Sequence, residues 1–444
     1  MPEVRGPGNE QEKKERRHFI QEKIVKQPPG RRQIAYKLFK LAGGAAIFGA
    51  VAAVSFSAVL PLTDRFFKEE TVREPVSIPK DEITEPTTVP VETTAPAAAE
   101  TTECEEPIED KIQSVMENYN YTAEDFGSML NSLRTRVQTA DKGIVAVHAV
   151  QENVDWFDNP LLTTGSYAGA VVARTEQELL ILTPEAAVEQ ADAIRVTFSD
   201  GSDVAGQVKQ KDSVADMAVV SVSVSVLPET TRNTVQTVAL GNSYIVREGD
   251  VLIAVGGPAG TVHSMDYGVV SYVLRTARMA DQNCRILYSD ILSDTETGTF
   301  FLNISGELVG WAMEPQEDQS GDEREFAEIM GISDYKGILE KLSNGQGAPY
   351  LGIVGQTVTE TMAFSGQPSG VYVVNAVAES PAYAAGIQNG DIITAVNGKT
   401  VTSMRDFQNA VEQLACGQEI VVLAARSGRE HFTELEFSVT VGTR

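Results

Sequence analysis

A mainly β protein with one membrane-spanning helix ahead of it is what the sequence predicts, on three observations. Short apolar runs bounded by Gly, Asp and Asn follow one another from residue 143 to 313, with no regular helix between them. Residues 41–62 carry no charge. Residues 349–444 mix strand-like runs with a single amphipathic helix, the pattern of a small α+β domain.

The uncharged run comes first along the chain. At ~1.5 Å per residue its length gives ~33 Å of helix, enough for a ~30 Å hydrocarbon core, and being apolar on every face it has no stripe to bury in a soluble core. Lys13, Lys14, Arg16, Arg17, Lys23, Lys26, Arg31, Arg32, Lys37 and Lys40 precede it and acids dominate after it. The positive-inside rule then places residues 1–40 in the cytoplasm, with the rest of this single-pass plasma-membrane protein outside. The long basic segment before the run favours a signal anchor over a cleaved leader. Residues 63–107, rich in Thr, Pro, Glu and Ala, hold few large apolar residues and read as a disordered acidic stalk. Residues 108–141 (IEDKIQSVMENY, then FGSMLNSLRTRV) are predicted to be a helical lead-in.

The β-rich stretch, residues 142–330, contains GIVAVHAV, GAVVAR, LLILT, IRVTF, MAVVSVSV, GDVLIAVG, YGVVSYVL, RILYSD and ELVGWAM. Their spacing is that of a sandwich or barrel. Several functions are disfavoured by composition. A net charge of -26, from 62 acidic against 36 basic residues, argues against nucleic acid. Cys104, Cys284 and Cys416 lie far apart with no CxxC spacing, and His18, His148, His263 and His431 are scattered, so no metal or cofactor is proposed.

Five segments in order resemble the chymotrypsin-like double β-barrel domain of the HtrA family of trypsin-like serine proteases. They are LLILTPEAAVEQADAIRVTFSDGS, DSVADMAVVSV, LGNSYIVREGDVLIAVGGPAG, YGVVSYVLR and YSDILSDTETGTFFLNISGELVGWA. In that chemistry a histidine takes the serine's proton, an aspartate holds the imidazole, and backbone amides receive the oxyanion. The resemblance puts Asp216 at the aspartate position and Ala186 at the histidine position. The serine position falls on Thr297, with Thr295 and Glu296 at the preceding oxyanion-loop positions; this last assignment needs one residue of adjustment near Ile291. An internal threonine needs a nearby base, Thr295 restricts a turn where the family has glycine, and Glu296 adds negative charge where more would develop. The implied state is an inactive site, so the chain is not expected to be an enzyme.

After a hinge helix within residues 331–348, residues 349–444 resemble a PDZ domain. The pattern S-P-A-x-x-A-G-I-x-x-G-D-x-I-x-x-V-N-G is carried from Ser380 to Gly398. The resemblance makes Tyr350, Leu351, Gly352 and Ile353 the loop whose amides meet a terminal carboxylate. A peptide strand would lie beside Leu351–Val354, its last side chain under Phe407 and Val411. The alternative is that these residues form only the domain's core, with the groove empty or filled by the chain itself.

Together these point to a membrane-anchored pseudoprotease that binds unfolded proteins or peptide C-termini at the cell envelope. A serine endopeptidase with a non-standard site, and a structural or assembly partner, remain as alternatives, and a homotrimer is left open. The acidic stretch Glu314–Glu328 is read as a solvated loop.

Overall fold

The computed structural model describes residues 75–82, 122–154, 160–291, 293–314, 326–364, 366–428 and 431–444. The charge-free run 41–62 lies outside them, as do most of the stalk and the first part of the lead-in. Among the described residues no helix is long and apolar enough to cross a membrane.

Helix α1 (Ala123–Ala140) opens the described body, capped by Thr122, whose hydroxyl accepts the Asp125 amide while the Asp125 carboxylate accepts the Thr122 amide. Two closed six-stranded antiparallel barrels follow. The first joins β1 (Ile144–Val154), β2 (Pro160–Arg174), β3 (Glu178–Pro184), β4 (Ala193–Thr197), β5 (Asp203–Asp212) and β6 (Met217–Ser223) in the order β1-β2-β3-β6-β5-β4. The second joins β7 (Val251–Gly256), β8 (Ser264–Met279), β9 (Gln282–Ser289), β10 (Thr299–Leu302), β11 (Leu308–Met313) and β12 (Ala327–Gly331) in the order β10-β11-β12-β9-β8-β7. This is the double barrel expected from the sequence. The acidic stretch falls on the β11–β12 connection, most of which lies outside the described residues.

The continuous apolar run LLILT follows from its place between two cores. Leu179 and Ile181 pack inside the first barrel with Val145, Val196 and Val220. Leu180 and Leu182 point the other way, into a cluster shared with Ile253, Phe300 and Trp311 of the second barrel. The same shared cluster takes Tyr335, Ile338 and Leu339, which lead into and form the helix Lys336–Ser343.

The C-terminal domain is a sheet in the order Ile353–Thr357, Val371–Ala376, Ile392–Val396, Glu419–Ser427, Phe432–Thr440, with the short strand Lys399–Thr400 paired to Ile392–Val396. Across it lies the helix Met404–Glu412, started by a Ser403–Asp406 capping box and burying Met404, Phe407, Ala410 and Val411.

One expectation is corrected. Residues 75–82 fall inside the predicted disordered stalk, yet they pack on the body as an extended strap. Ile78 is 6% exposed and joins the shared cluster, with Val76 against it. The Val76 amide donates to Asn344 Oδ1 at 2.9 Å, the Ile78 amide donates to Glu340 Oε2 at 2.8 Å, and Asp81 pairs with Lys336 at 2.8 Å. Lys80 pairs with Glu412 of the C-terminal helix. The averaged composition hides a local pattern, Pro-Val-Ser-Ile-Pro, in which two apolar side chains alternate and two prolines lower the entropy lost on ordering.

Candidate functional site

Strand β3 is buried from Leu179 to its end at Pro184, and Glu185 then leads into a short helix, Ala186–Glu189. Glu185 is buried, and its carboxylate takes Lys211 Nζ at 2.5 Å and Ser213 Oγ at 2.8 Å. Its amide donates to the Asp216 carbonyl at 3.1 Å. The histidine-position segment and the aspartate-position loop are therefore tied together through Glu185. Ala187 and Val188 anchor the short helix in the first barrel, which leaves Ala186 exposed. A methyl group neither accepts nor donates a proton.

Asp216 is exposed and holds φ +52°, a left-handed conformation that aspartate tolerates better than most residues. Its carboxyl is pushed up to about 6, by partial burial first and then by the neighbouring carboxylates of Glu185, Glu314 and Glu189. Among the described residues no imidazole is hydrogen-bonded to it to favour the charged form. His148 Nε2 is engaged with Thr197 Oγ1 at 3.1 Å, and His263 Nδ1 with Asp141 Oδ1 at 2.9 Å, a pairing that raises the imidazole's pKa. Among the described residues no histidine is paired with Asp216 or Thr297.

The loop between β9 and β10 holds Thr295, Glu296 and Thr297. Its organiser is Asp294: Oδ1 accepts the Thr297 amide at 2.7 Å, and the Asp294 carbonyl accepts the Thr299 hydroxyl at 2.9 Å. The Thr297 carbonyl accepts the Ala168 amide at 2.6 Å, and the Ala168 carbonyl accepts the Thr183 hydroxyl at 3.0 Å. Through Ala168 the structure brings the Thr297 loop and the Pro184–Ala186 segment to one place. Gly298 has φ +94°, and a Cβ there would stand 2.7 Å from Pro184 Cγ, so the two segments meet closely. Glu296 points outward, exposed, and Thr297 is half-buried over Gly257.

The chemical consequence lies at the amide. An oxyanion site needs free N–H donors aimed at developing negative charge. Here the Thr297 N–H is already held by a carboxylate, so an oxyanion at that position would meet Asp294 rather than an open donor. Asp294 escaped the sequence reading because it precedes the three loop positions assigned by resemblance, Thr295 to Thr297; its spacing three residues before Thr297, typical of a side chain capping a turn, was the available signal.

The second predicted site is formed by the loop Tyr350–Ile353. Gly352 has φ +84°, and Leu351 and Ile353 are fully buried with Phe407, while Val411 is buried beside them. The amides of Leu351, Gly352 and Ile353 do converge on a carboxylate: Asp281 Oδ2 accepts the first two at 2.7 and 2.9 Å, and Oδ1 accepts the third at 2.9 Å. Burial pushes the Asp281 carboxyl up against the opposing pull of these amides and of Arg444. Asp281 stands at the β8–β9 turn, seventy residues before the loop, and no local sequence pattern connects the two.

Comparison with known proteins matches residues 167–310 to the trypsin-like peptidase domain and residues 372–426 to the PDZ domain. The chain is 28% identical over 288 residues to the "Serine protease Do-like HtrA" of Bacillus subtilis, covering 60% of this chain and 62% of that protein. It is 28% identical over 278 residues to a "Probable periplasmic serine endoprotease DegP-like" of Pseudomonas savastanoi pv. phaseolicola, covering 59% and 53%. The chain thus spans less than two thirds of the length of these curated relatives. Among solved structures, "HtrA-type protease AlgW with decapeptide" is similar with a TM-score of 0.48 at 19% identity, covering 70% of this chain and 98% of that one. The HtrA/DegP-type combination of a trypsin-like protease domain with a PDZ domain is supported. The expectation that the chain is not an enzyme is corrected: its similar proteins are named serine proteases and endoproteases, which points to protease activity.

Proposed function

We propose that this HtrA-type chain is a membrane-anchored protein of the cell envelope that captures unfolded or C-terminally exposed polypeptides through its PDZ domain. It is a pseudoprotease in one restricted sense: positions 186 and 297 lack the serine–histidine pair. The observation that carries capture is the convergence of the Leu351, Gly352 and Ile353 amides on one carboxylate, the geometry a polypeptide C-terminus requires. Support for anchoring is the charge-free run 41–62 with its basic flank, whose charge asymmetry favours folded domains outside the plasma membrane.

At the protease-type site, Ala186 supplies no base, Asp216 is surrounded by carboxylates, and the Thr297 amide is paired with Asp294. Each works against acyl transfer to Thr297. The names of the relatives favour the second reading, a serine-type endopeptidase with a non-standard site. Assembly as a homotrimer is part of the proposal, supported by Phe126, Met129 and Leu130, which are exposed along one face of α1 at helical spacing.

The test of capture is binding of fluorescent peptides carrying a free C-terminal carboxylate against the same peptides amidated. Carboxylate-dependent binding that is lost in Gly352→Val supports it, since a side chain at that φ would displace the loop. Equal binding of acid and amide would sink it.

A further inference from the structure

The contacts of Asp281 with the carboxylate-binding loop are more extensive than a single shared acid. Its amide donates to the Ile353 carbonyl at 2.7 Å, and Ala280 forms an antiparallel bridge with Val354. Arg278 Nη1 reaches Gln356 Oε1 at 2.7 Å, further along the same strand. The β8–β9 turn therefore meets the edge strand Ile353–Thr357 through one antiparallel bridge and one backbone hydrogen bond, on the side where a peptide ligand would add. It delivers a carboxylate to three amides at its end.

The hairpin is also shaped for this. Asp281 has φ +64°, a left-handed turn conformation, and its carboxylate meets the three loop amides. Asp281 is 4% exposed and the next residue, Gln282, 2%. Both border a cavity of ≈ 20 Å³ beside Val411, about the room of one water molecule. Gln282 Oε1 accepts from Arg444 Nη1 at 3.3 Å.

We infer that the β8–β9 hairpin is an internal pseudo-ligand that closes the peptide groove, and that an incoming polypeptide C-terminus binds only by ejecting Asp281 from the amides of Leu351, Gly352 and Ile353. This rests on the capture reading and adds a competitive gate to it. A groove occupied by its own chain weakens an external ligand by the factor by which the closed form outnumbers the open one. A hundredfold preference for the closed form raises the apparent Kd about a hundredfold. The gate thus sets a threshold: isolated weak C-termini are excluded, whereas abundant or multivalent unfolded chains compete.

The experiment uses the full-length chain in detergent micelles, as wild type and as Asp281→Gly. Glycine accepts the positive φ at residue 281, so this variant removes the carboxylate without straining the turn. Arg278→Ala serves as a second, milder variant. Two quantities are measured: hydrogen exchange of the 351–353 amides, and the apparent Kd for a pool of fluorescent decapeptides with randomised free C-termini, with the amidated pool as control. The gate predicts slow exchange at these amides in the wild type and exchange at least tenfold faster in Asp281→Gly. It also predicts at least tenfold tighter binding of the free-acid pool by that variant, with no gain for the amidated pool. Unchanged exchange in both variants overturns the gate. Faster exchange with unchanged, measurable affinity overturns it as well, because the ligand then does not compete with the hairpin. Faster exchange with no free-acid binding in any variant overturns the capture reading itself, leaving the hairpin contact as structural.

Discussion

The amide of Thr297 donates to the carboxylate of Asp294 at 2.7 Å, which places a negative charge where an oxyanion-binding donor is needed. On the proposed reading that pairing, together with the side chains at 186 and 297, opposes acyl transfer. Restoring a serine–histidine pair by Ala186→His with Thr297→Ser is therefore expected to give little cleavage of unfolded casein. Adding Asp294→Ala to that pair frees the amide, and a gain of about tenfold to a hundredfold in kcat is expected, since one oxyanion donor is worth ~10²–10³. A triple variant no faster than the double would show that Asp294 is not the obstacle.

Asp216 provides the pH test. Its carboxyl titrates near 6, raised from 3.8 by partial burial and by Glu185, Glu314 and Glu189. A carboxyl with a raised folded pKa favours folding while protonated, and that contribution is lost as pH climbs from about 4 through 6. Because the side chain is exposed, the effect on stability is small. A carboxyl resonance titrating near 6 that disappears in Asp216→Asn is expected in NMR titrations. A midpoint near 4 would mean that the surrounding carboxylates do not act on it.

The strap contributes stability. Ile78 is buried and its backbone is held by Glu340, so Ile78→Ala is expected to lower unfolding free energy by about 2–3 kcal/mol in urea denaturation, near the lower end of aliphatic truncations. An unchanged urea midpoint would mean that residues 75–82 detach without consequence.

Gly298 offers a steric check on the meeting of the two catalytic-position segments. With φ +94° and Pro184 at 2.7 Å from a would-be Cβ, Gly298→Ala is expected to cost about 2 kcal/mol or more and lower the melting temperature. A neutral Gly298→Ala would place the loop differently.

What the sequence made legible follows from physical range. The run LLILT was readable as a strand because both its faces are covered, and the amphipathic helix carrying Phe407 and Val411 was readable because its apolar spacing is local. Strand β5 was not recognised, because its residues are largely polar and partly exposed, and β12 was obscured by the acidic stretch before it. The positions of Ala186, Asp216 and Thr297 came from a pattern in chain order. The occupancy of the loop at Leu351–Ile353 could not, because its ligand Asp281 is brought there only by the packing of one domain's hairpin on the other domain's sheet. The strap was lost for a different reason: two apolar residues carry little weight in a composition taken over the whole stalk, yet each finds a specific partner surface.

The most direct measurement mixes the full-length chain in micelles with unfolded casein, separates complexes by size, and analyses the casein in them. The account predicts casein held by the wild type, retained in Thr297→Ala and lost in Gly352→Val. Casein held equally by Gly352→Val would contradict it, while casein cut by the wild type and left whole by Thr297→Ala would assign the site the hydrolytic role that its relatives' names carry.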